Sequence, residues 1–360
     1  MRILVVCHPP LSAELGAAQV AMNLAAALRA RGHDARAWSP EPLPAGSRWW
    51  NLWLHQRRAI ERFAAAEGPF DAIDTPAISA SRMLARCGPL VVRSVQPELR
   101  YLFYEVRSAL RRQCSPGALG RAALAGRQSR AIVGGWRRAR AILCLGSHEL
   151  AWMRRRFPRW SPKLRLYFNA LPPHERPALA EVRRRRGIPA VNRVRFLWIG
   201  RWTAHKGTRR LVQFMAERIA ASSRDVFTLA GCGPAAERDL QPEWLRRGRV
   251  VLIPSFSRAE LPPLLAAHEA GLFTSELEGW GLNLIEMLES GMTVFATEAG
   301  AVADLRPFFP SCLRPFPPPA AIEPRPLEDL DANGYYQRFS WPAIACSYEQ
   351  EALAPLAGPR

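Results

Sequence analysis

Lysine is nearly missing from this chain. Of 360 residues 50 are Lys or Arg, and Lys163 and Lys206 are the only lysines. Long apolar runs are missing too: nothing reaches the ~18 residues that a membrane-spanning helix requires. The opening Met1-Arg2-Ile3-Leu4-Val5-Val6-Cys7 is too short for a secretory h-region and runs into Pro9-Pro10, so it reads as a first strand and points to the cytoplasm. The seven cysteines are odd in number, scattered and without a CxxC pair, which predicts free buried thiols rather than a disulfide framework. Without HExxH or a His/Cys cluster, no metal site is expected. GxGxxG is absent as well. Leu15-Gly16-Ala17 after the first strand and Gly231-Cys-Gly233-Pro234 further on both fall short of it, which argues against a nicotinamide or flavin cofactor.

What is present is arginine. The net charge is +19, while 48% hydrophobic and 22% charged residues are those of a soluble globular protein. Part of the excess reflects a general bias towards Arg, which weakens arguments from any single arginine. The charge still favours anionic partners: nucleotide phosphates, nucleic acid or an acidic membrane surface. The arginines are dispersed, with no zinc-finger, RNP-like or helix-turn-helix pattern, so nucleic acid is not expected as a partner.

The length suggests two domains, since single cores stop growing at roughly 250–300 residues. Short apolar runs alternate with helical patterns: strands at 3–7, 35–38, 72–73, 90–95, 141–145 and, more weakly, 166–168, with a helix at 17–30 closed by Gly32. Residues 173–190 change to Pro, Arg and Glu, with the run Arg183–Arg186, and read as a linker or a solvated helix. A second series follows: 195–199, 225–230, 250–253, 271–274 and 293–297. A Pro-rich stretch, 315–326, precedes an amphipathic segment, 341–356. Alternation of this kind predicts an α/β protein with two Rossmann-like, doubly wound parallel sheets.

Three loops of the second series carry chemistry. Glu278-Gly-Trp-Gly-Leu-Asn-Leu-Ile-Glu286 is a strand–turn–helix junction. Free N–H groups at a helix start attract anions, and Gly279 and Gly281 permit close approach to the backbone. Its two carboxylates suit ribose and sugar hydroxyls. By itself the segment equally fits a plain β–α turn with two surface glutamates. Gly200-Arg201-Trp-Thr-Ala-His-Lys206-Gly207 places two cations after a strand, as a diphosphate leaving group would need; either cation alone also reads as surface charge. Gly231-Cys-Gly233 is a third turn, weak in isolation.

Together, in the order GRxxxxKG, GxGP and E-x7-E, these loops resemble glycosyltransferase family 4. Gly291, the strand 293–297, the turn Glu298-Ala-Gly300-Ala301, the tail Phe339-Ser-Trp341 with Tyr348, and the first loop and helix from Gly16 to His33 are similar as well. The resemblance covers most of the chain and is strongest from Phe196 to Asp304. It implies the GT-B fold with a cleft between its domains. The N-terminal acceptor domain would be 1–172, the linker 173–190, the donor domain 191–335, and 336–360 a helix returning to the first domain. It further implies retaining transfer from a nucleotide sugar with neither cofactor nor metal. Arg201 and Lys206 would hold the diphosphate, Glu286 the ribose and Glu278, the catalytic candidate, the transferred sugar. Gly16, Gly231, Gly233, Gly281 and Leu282 would complete the donor site.

The chain departs from the pattern in three places. Leu15 stands where the first loop usually has a glycine, Asn283 replaces a frequent proline, and Gln96-Pro97-Glu98 stands where the family often presents a histidine. Gln96 can bond a sugar but carries no proton. The acceptor is expected to be a glycan, lipid-linked or envelope molecule. Arg48-Trp49-Trp50-Asn-Leu-Trp53, Arg57-Arg58, Arg107, Arg111, Arg112, Arg137, Arg138 and Arg140 form a cation and tryptophan pattern. It suits docking, as a peripheral protein, on an anionic membrane surface, or a packed core with solvated arginines. Another GT-B nucleotide-sugar enzyme such as an epimerase, or a relative that has lost catalysis, remains an alternative.

Overall fold

Strands of a parallel sheet covered on both faces must be apolar along their length, and most of the central strands here are. The computed structural model describes residues 1–42, 48, 50–112, 116–186, 193–221, 224–323 and 326–356. Trp49, Cys114 and residues 187–190 of the expected linker lie outside them, as do the side chains of Arg111 and Arg112.

The chain divides into two compact units, Met1–Ala170 with Arg338–Arg360, and Leu171–Gln337. In the first, β1 (Arg2–Val6), β2 (Asp34–Trp38), β3 (Ala72–Thr75), β4 (Leu90–Arg93), β5 (Ala141–Leu145) and β6 (Leu164–Tyr167) form one parallel sheet in the order β2-β1-β3-β4-β5-β6. In the second, β7 (Arg195–Ile199), β8 (Val226–Ala230), β9 (Val250–Ile253), β10 (Ala270–Phe273), β11 (Thr293–Ala296) and β12 (Leu313–Pro315) form another, in the order β12-β11-β10-β7-β8-β9. Both are Rossmann-like. In the second sheet β7 pairs with β8 on one side and β10 on the other, so the strand order reverses between β7 and β10. That switch point opens a crevice at the carboxyl ends of the strands.

The first core packs Leu4, Ile73, Val92 and Ile142 beneath the helix Leu52–Glu67 and the C-terminal half of Pro116–Arg138. One ion pair lies inside it: Arg93 Nε donates to Asp74 Oδ1 at 2.9 Å, with the side chains 2% and 0% exposed. Tyr348 Oη donates to the other oxygen, Asp74 Oδ2, at 3.0 Å, and the Tyr167 ring lies 5.9 Å from the guanidinium. Tyr348 ends the helix Trp341–Tyr348, which packs on Gly16–Ala30. The last segment of the chain therefore completes the hydrogen bonding of a buried charge. Glu349 adds contacts to Arg31 at 2.6 Å and His33 at 2.8 Å. In the second core, Phe196 and Phe227 stack at 5.1 Å and Phe214 meets both edge-on.

Several expectations are corrected. Of the two readings of 173–190, a linker or a solvated helix, residues 176–185 take the helical one, Arg176–Arg185, and lie inside the second unit. Its arginine run is not uniformly solvated. Arg184 and Arg185 are exposed and pair with Glu181. Arg183 and Arg186 turn inwards: Arg186 donates to the carbonyls of Ser290, His268 and Leu265 at 2.7–3.0 Å, and Arg183 to that of Leu288 at 3.1 Å. A guanidinium has five donors and can close off several chain ends at once. The strand expected at 90–95 stops at Arg93, because the Ser94 hydroxyl turns back to the Gln96 carbonyl. The strand Leu313–Pro315 was hidden at the start of the Pro-rich stretch; as an edge strand it tolerates proline. The segment 341–356 breaks after Tyr348 into a π turn and a short 3₁₀ turn.

Candidate active site

The loop after β7 is pressed onto the end of β10. Gly207 has φ +70°, and a Cβ there would stand 1.8 Å from the Thr274 carbonyl oxygen, so only glycine allows the approach. The contact is stitched on both sides. Thr274 Oγ1 donates to the Lys206 carbonyl at 2.8 Å, and the His205 carbonyl accepts from the N–H groups of Glu276 at 2.8 Å and Leu277 at 3.2 Å. Trp198 Nε1, on β7, donates to Thr274 Oγ1 at 3.1 Å.

This stitching brings Lys206 and Glu278 together: Lys206 Nζ pairs directly with Glu278 Oε2. Ser275 Oγ donates to the same oxygen at 3.2 Å, and the Gly279 N–H to Oε1 at 3.3 Å. Burial pushes the Glu278 carboxyl up, but the Lys206 ammonium and its hydrogen bond outweigh it and leave the group below its ordinary range. Burial, then the neighbouring Lys206, pull the His205 imidazole down to about 4, so it is neutral at pH 7. Gly300 lies under the Glu278 side chain, where a Cβ would come within 3.1 Å of its Cγ and 2.7 Å of the Trp280 carbonyl oxygen.

Gly281, at φ +88°, starts the helix Leu282–Glu289, with no side-chain cap among the described residues. The first N–H groups of a helix have no partner within it. Asn283, the departure from the expected proline, donates from Nδ2 to the Ile199 carbonyl at 2.7 Å and ties this helix start to the end of β7. Glu286, one turn in, is 3% exposed and accepts from Arg258 Nη1 at 2.8 Å. Burial raises its carboxyl; Arg258 opposes this. Arg258 also donates from Nε to Glu175 at 3.0 Å.

Of the residues singled out from sequence, Lys206, Glu278 and Gly281 stand on loops at the switch point, and Leu282 and Glu286 in the first turns of the helix that follows. Arg201 is exposed on the same loop as Lys206. Gly231 and Gly233 turn at the end of β8, both with positive φ, and a Cβ on Gly233 would meet nothing within 4 Å. Gly16 and Gln96 belong to the first unit: Gly16 begins the helix Gly16–Ala30, and Gln96 is exposed after β4.

Sequence reasoning missed Arg258, one arginine among many. The Ser257–Glu260 capping box announces a helical turn there, but nothing local announces Glu286 as a partner. It also missed two glutamates beside Gln96. Burial, then its neighbour Glu149, push the Glu98 carboxyl up to about 8. Burial likewise raises Glu149 to about 7, against hydrogen bonds from the Leu145 N–H at 2.7 Å and Ser94. Ser94 Oγ lies 2.8 Å from both the Gln96 carbonyl oxygen and Glu149 Oε1. One hydroxyl proton serves only one of these, so a protonated Glu149 donating to Ser94 satisfies all three groups.

Two six-stranded parallel sheets and a loop cluster at a switch point define a two-domain, Rossmann-like GT-B fold, and solved structures agree. The catalytic domain of starch synthase IV from Arabidopsis thaliana, bound to ADP and acarbose, superposes with a TM-score of 0.62 at 11% identity, covering 99% of each chain. WaaG, a glycosyltransferase involved in lipopolysaccharide biosynthesis, gives 0.57 at 14% identity, covering 99% of this chain and 100% of that one. Residues 193–307 match the family described as Glycosyl transferases group 1, so the second unit carries a glycosyltransferase-type domain. A Bacillus subtilis (strain 168) protein named uncharacterized glycosyltransferase YqgM is 28% identical over 132 residues. That alignment covers 36% of this chain and 37% of the relative. Among the described residues no helix is long and apolar enough to cross a membrane.

Proposed function

We propose that the chain is a retaining glycosyltransferase of the E-x7-E, family 4 type, moving a sugar from a nucleotide sugar to a glycan, lipid-linked or envelope acceptor. The observation that carries this is the Lys206–Glu278 pair at the switch point, beside the uncapped start of Leu282–Glu289. When the bond from the anomeric carbon to the diphosphate breaks, negative charge builds on the leaving group and positive charge on the sugar. In this reading Lys206, Arg201 and the helix N–H groups meet the first, and Glu278 the second. These protein charges supply what a metal would otherwise supply, so the proposed transfer needs none. Gly233 leaves the nucleotide side open, Gly231 turns the chain beside it, and Glu286, fixed by Arg258, accepts ribose hydroxyls. Gly16 and Gln96 are proposed donor and acceptor contacts from the first unit. Exposed Trp50, Arg48, Arg58 and Arg107 of that unit make peripheral docking on an anionic membrane part of the same reading, which co-sedimentation with anionic vesicles tests.

The direct experiment is a thermal-shift series with UDP-, GDP-, ADP- and TDP-sugars. A donor at 100 times its Kd adds about 2.7 kcal/mol of stability, which moves Tm by degrees. One base should stand out; a flat response across the panel overturns the reading.

A further inference from the structure

The first unit holds a second charged cavity, of about 320 Å3, walled by the helix Leu52–Glu67, the chain after β3 and the helix Pro116–Arg138. Two glycines shape it. A Cβ on Gly135 would stand 2.1 Å from the Ala77 carbonyl oxygen, so the long helix lies directly on the turn after β3. Gly134 leaves room for Arg138 to fold back over its own helix, where a Cβ would meet Nη1 at 2.9 Å. Four arginines face the cavity: Arg57, Arg82, Arg130 and Arg138. Among the described residues Glu61 is the one acidic side chain lining it, and its nearest approach to Arg57 Nε is 3.7 Å. Arg57 Nε is buried and, among the described residues, has no hydrogen-bond partner. Burial first, then Arg82, Arg137 and Arg57, pull the Arg138 guanidinium below its ordinary value. Buried donors without acceptors and like charges brought together are costly unless an anion enters.

We propose that this cavity binds the phosphate group of a phosphorylated small molecule or lipid headgroup. Four guanidinium groups against one carboxylate leave a surplus that a dianionic phosphate neutralises better than a single carboxylate. Their planar forks also match phosphate oxygens in pairs. The volume admits one such group with a short carrier, and not the extended track that a nucleic-acid backbone would need. All the switch-point residues lie in the other unit, so this site stands or falls independently of the transferase reading.

The test uses the full chain. Isothermal titration at low salt with inorganic phosphate and a hexose 6-phosphate is run on the unaltered protein, on an Arg82→Ala/Arg130→Ala variant and on a charge-matched control, Arg246→Ala/Arg247→Ala, at two exposed arginines of the other unit. Arg82 and Arg130 are exposed, so their removal should leave the fold intact. The Arg82→Ala/Arg130→Ala substitution should weaken phosphate binding by roughly tenfold or more, and Arg246→Ala/Arg247→Ala, which removes the same charge elsewhere, should leave that binding unchanged. In parallel, vesicles of phosphatidylcholine with and without phosphatidic acid are sedimented with each protein. Loss of phosphatidic-acid binding in the same variant assigns a lipid-borne phosphate, and an effect confined to soluble esters assigns a soluble one; either upholds the site. Binding that is unaffected by the Arg82→Ala/Arg130→Ala substitution in both arms, or weakened equally by the charge-matched control, overturns it.

Discussion

Lys206 and Glu278 neutralise each other, and that pairing decides how each responds to replacement. Lys206→Ala removes the cation facing the proposed diphosphate and leaves a part-buried carboxylate behind, so nucleotide affinity should fall roughly tenfold to 100-fold, the range of a charged contact to phosphate. Glu278→Gln does the reverse. It frees the ammonium for the diphosphate, so nucleotide affinity should hold or tighten while transfer falls by about 10²–10³. Titration calorimetry with the nucleotide and a transfer assay separate the two, and unchanged nucleotide binding in Lys206→Ala would remove it from the site. Lys206 and both glutamates could be read from sequence because each sits in a short pattern between a strand and a helix. Arg258 could not, because its partners Glu286 and Glu175 are distant in the chain and meet it only once the sheet is assembled.

At the scale of elements, the helix starts after β4 and β5 bury Glu98 and Glu149; burial raises them to about 8 and about 7, and the neighbouring Glu149 adds to the rise of Glu98. Two interacting carboxyls titrate as a pair. The folded state then holds more protons than the unfolded chain between about pH 4.5 and 8, so their contribution is present at pH 4 and is lost as pH rises through the folded values. Glu149→Gln imitates the protonated form, with Nε2 donating to Ser94 and the amide oxygen accepting from Leu145. We expect it to keep Tm at pH 5 and to flatten the fall in Tm between pH 5 and 8; a slope equal to that of the unaltered chain would refute the assignment. Eleven strands were legible here to within a few residues, since buried parallel strands are largely apolar; the edge strand Leu313–Pro315, with a proline and an arginine, was not. The inward turn of Arg183 and Arg186 was not, because a run of arginines looks the same whether its donors meet water or carbonyls.

At the scale of the molecule, the second unit is one uninterrupted stretch, Leu171–Gln337, whereas the first takes residues from both sides of it. The tail residues Trp341, Ile344, Ala345 and Tyr348 are at most 3% exposed, and Tyr348 bonds the Asp74–Arg93 pair. Expressed alone, residues 171–337 should melt cooperatively in calorimetry. Residues 1–170 alone should not, lacking that apolar face and a hydrogen bond to a buried carboxylate; adding residues 338–356 through a short linker should restore the transition. A cooperative melt of 1–170 by itself would show the tail to be dispensable.

The same division sets an order on the ribosome. All of the second unit emerges before residue 338, so the later-encoded unit is the first that can finish folding. At roughly 5–20 residues per second, the earlier unit must wait on the order of ten to thirty seconds with its six strands made but its closing helix and Tyr348 still missing. During translation it is this arginine-rich unit, and not the glycosyltransferase-type domain, that most needs a chaperone's cover.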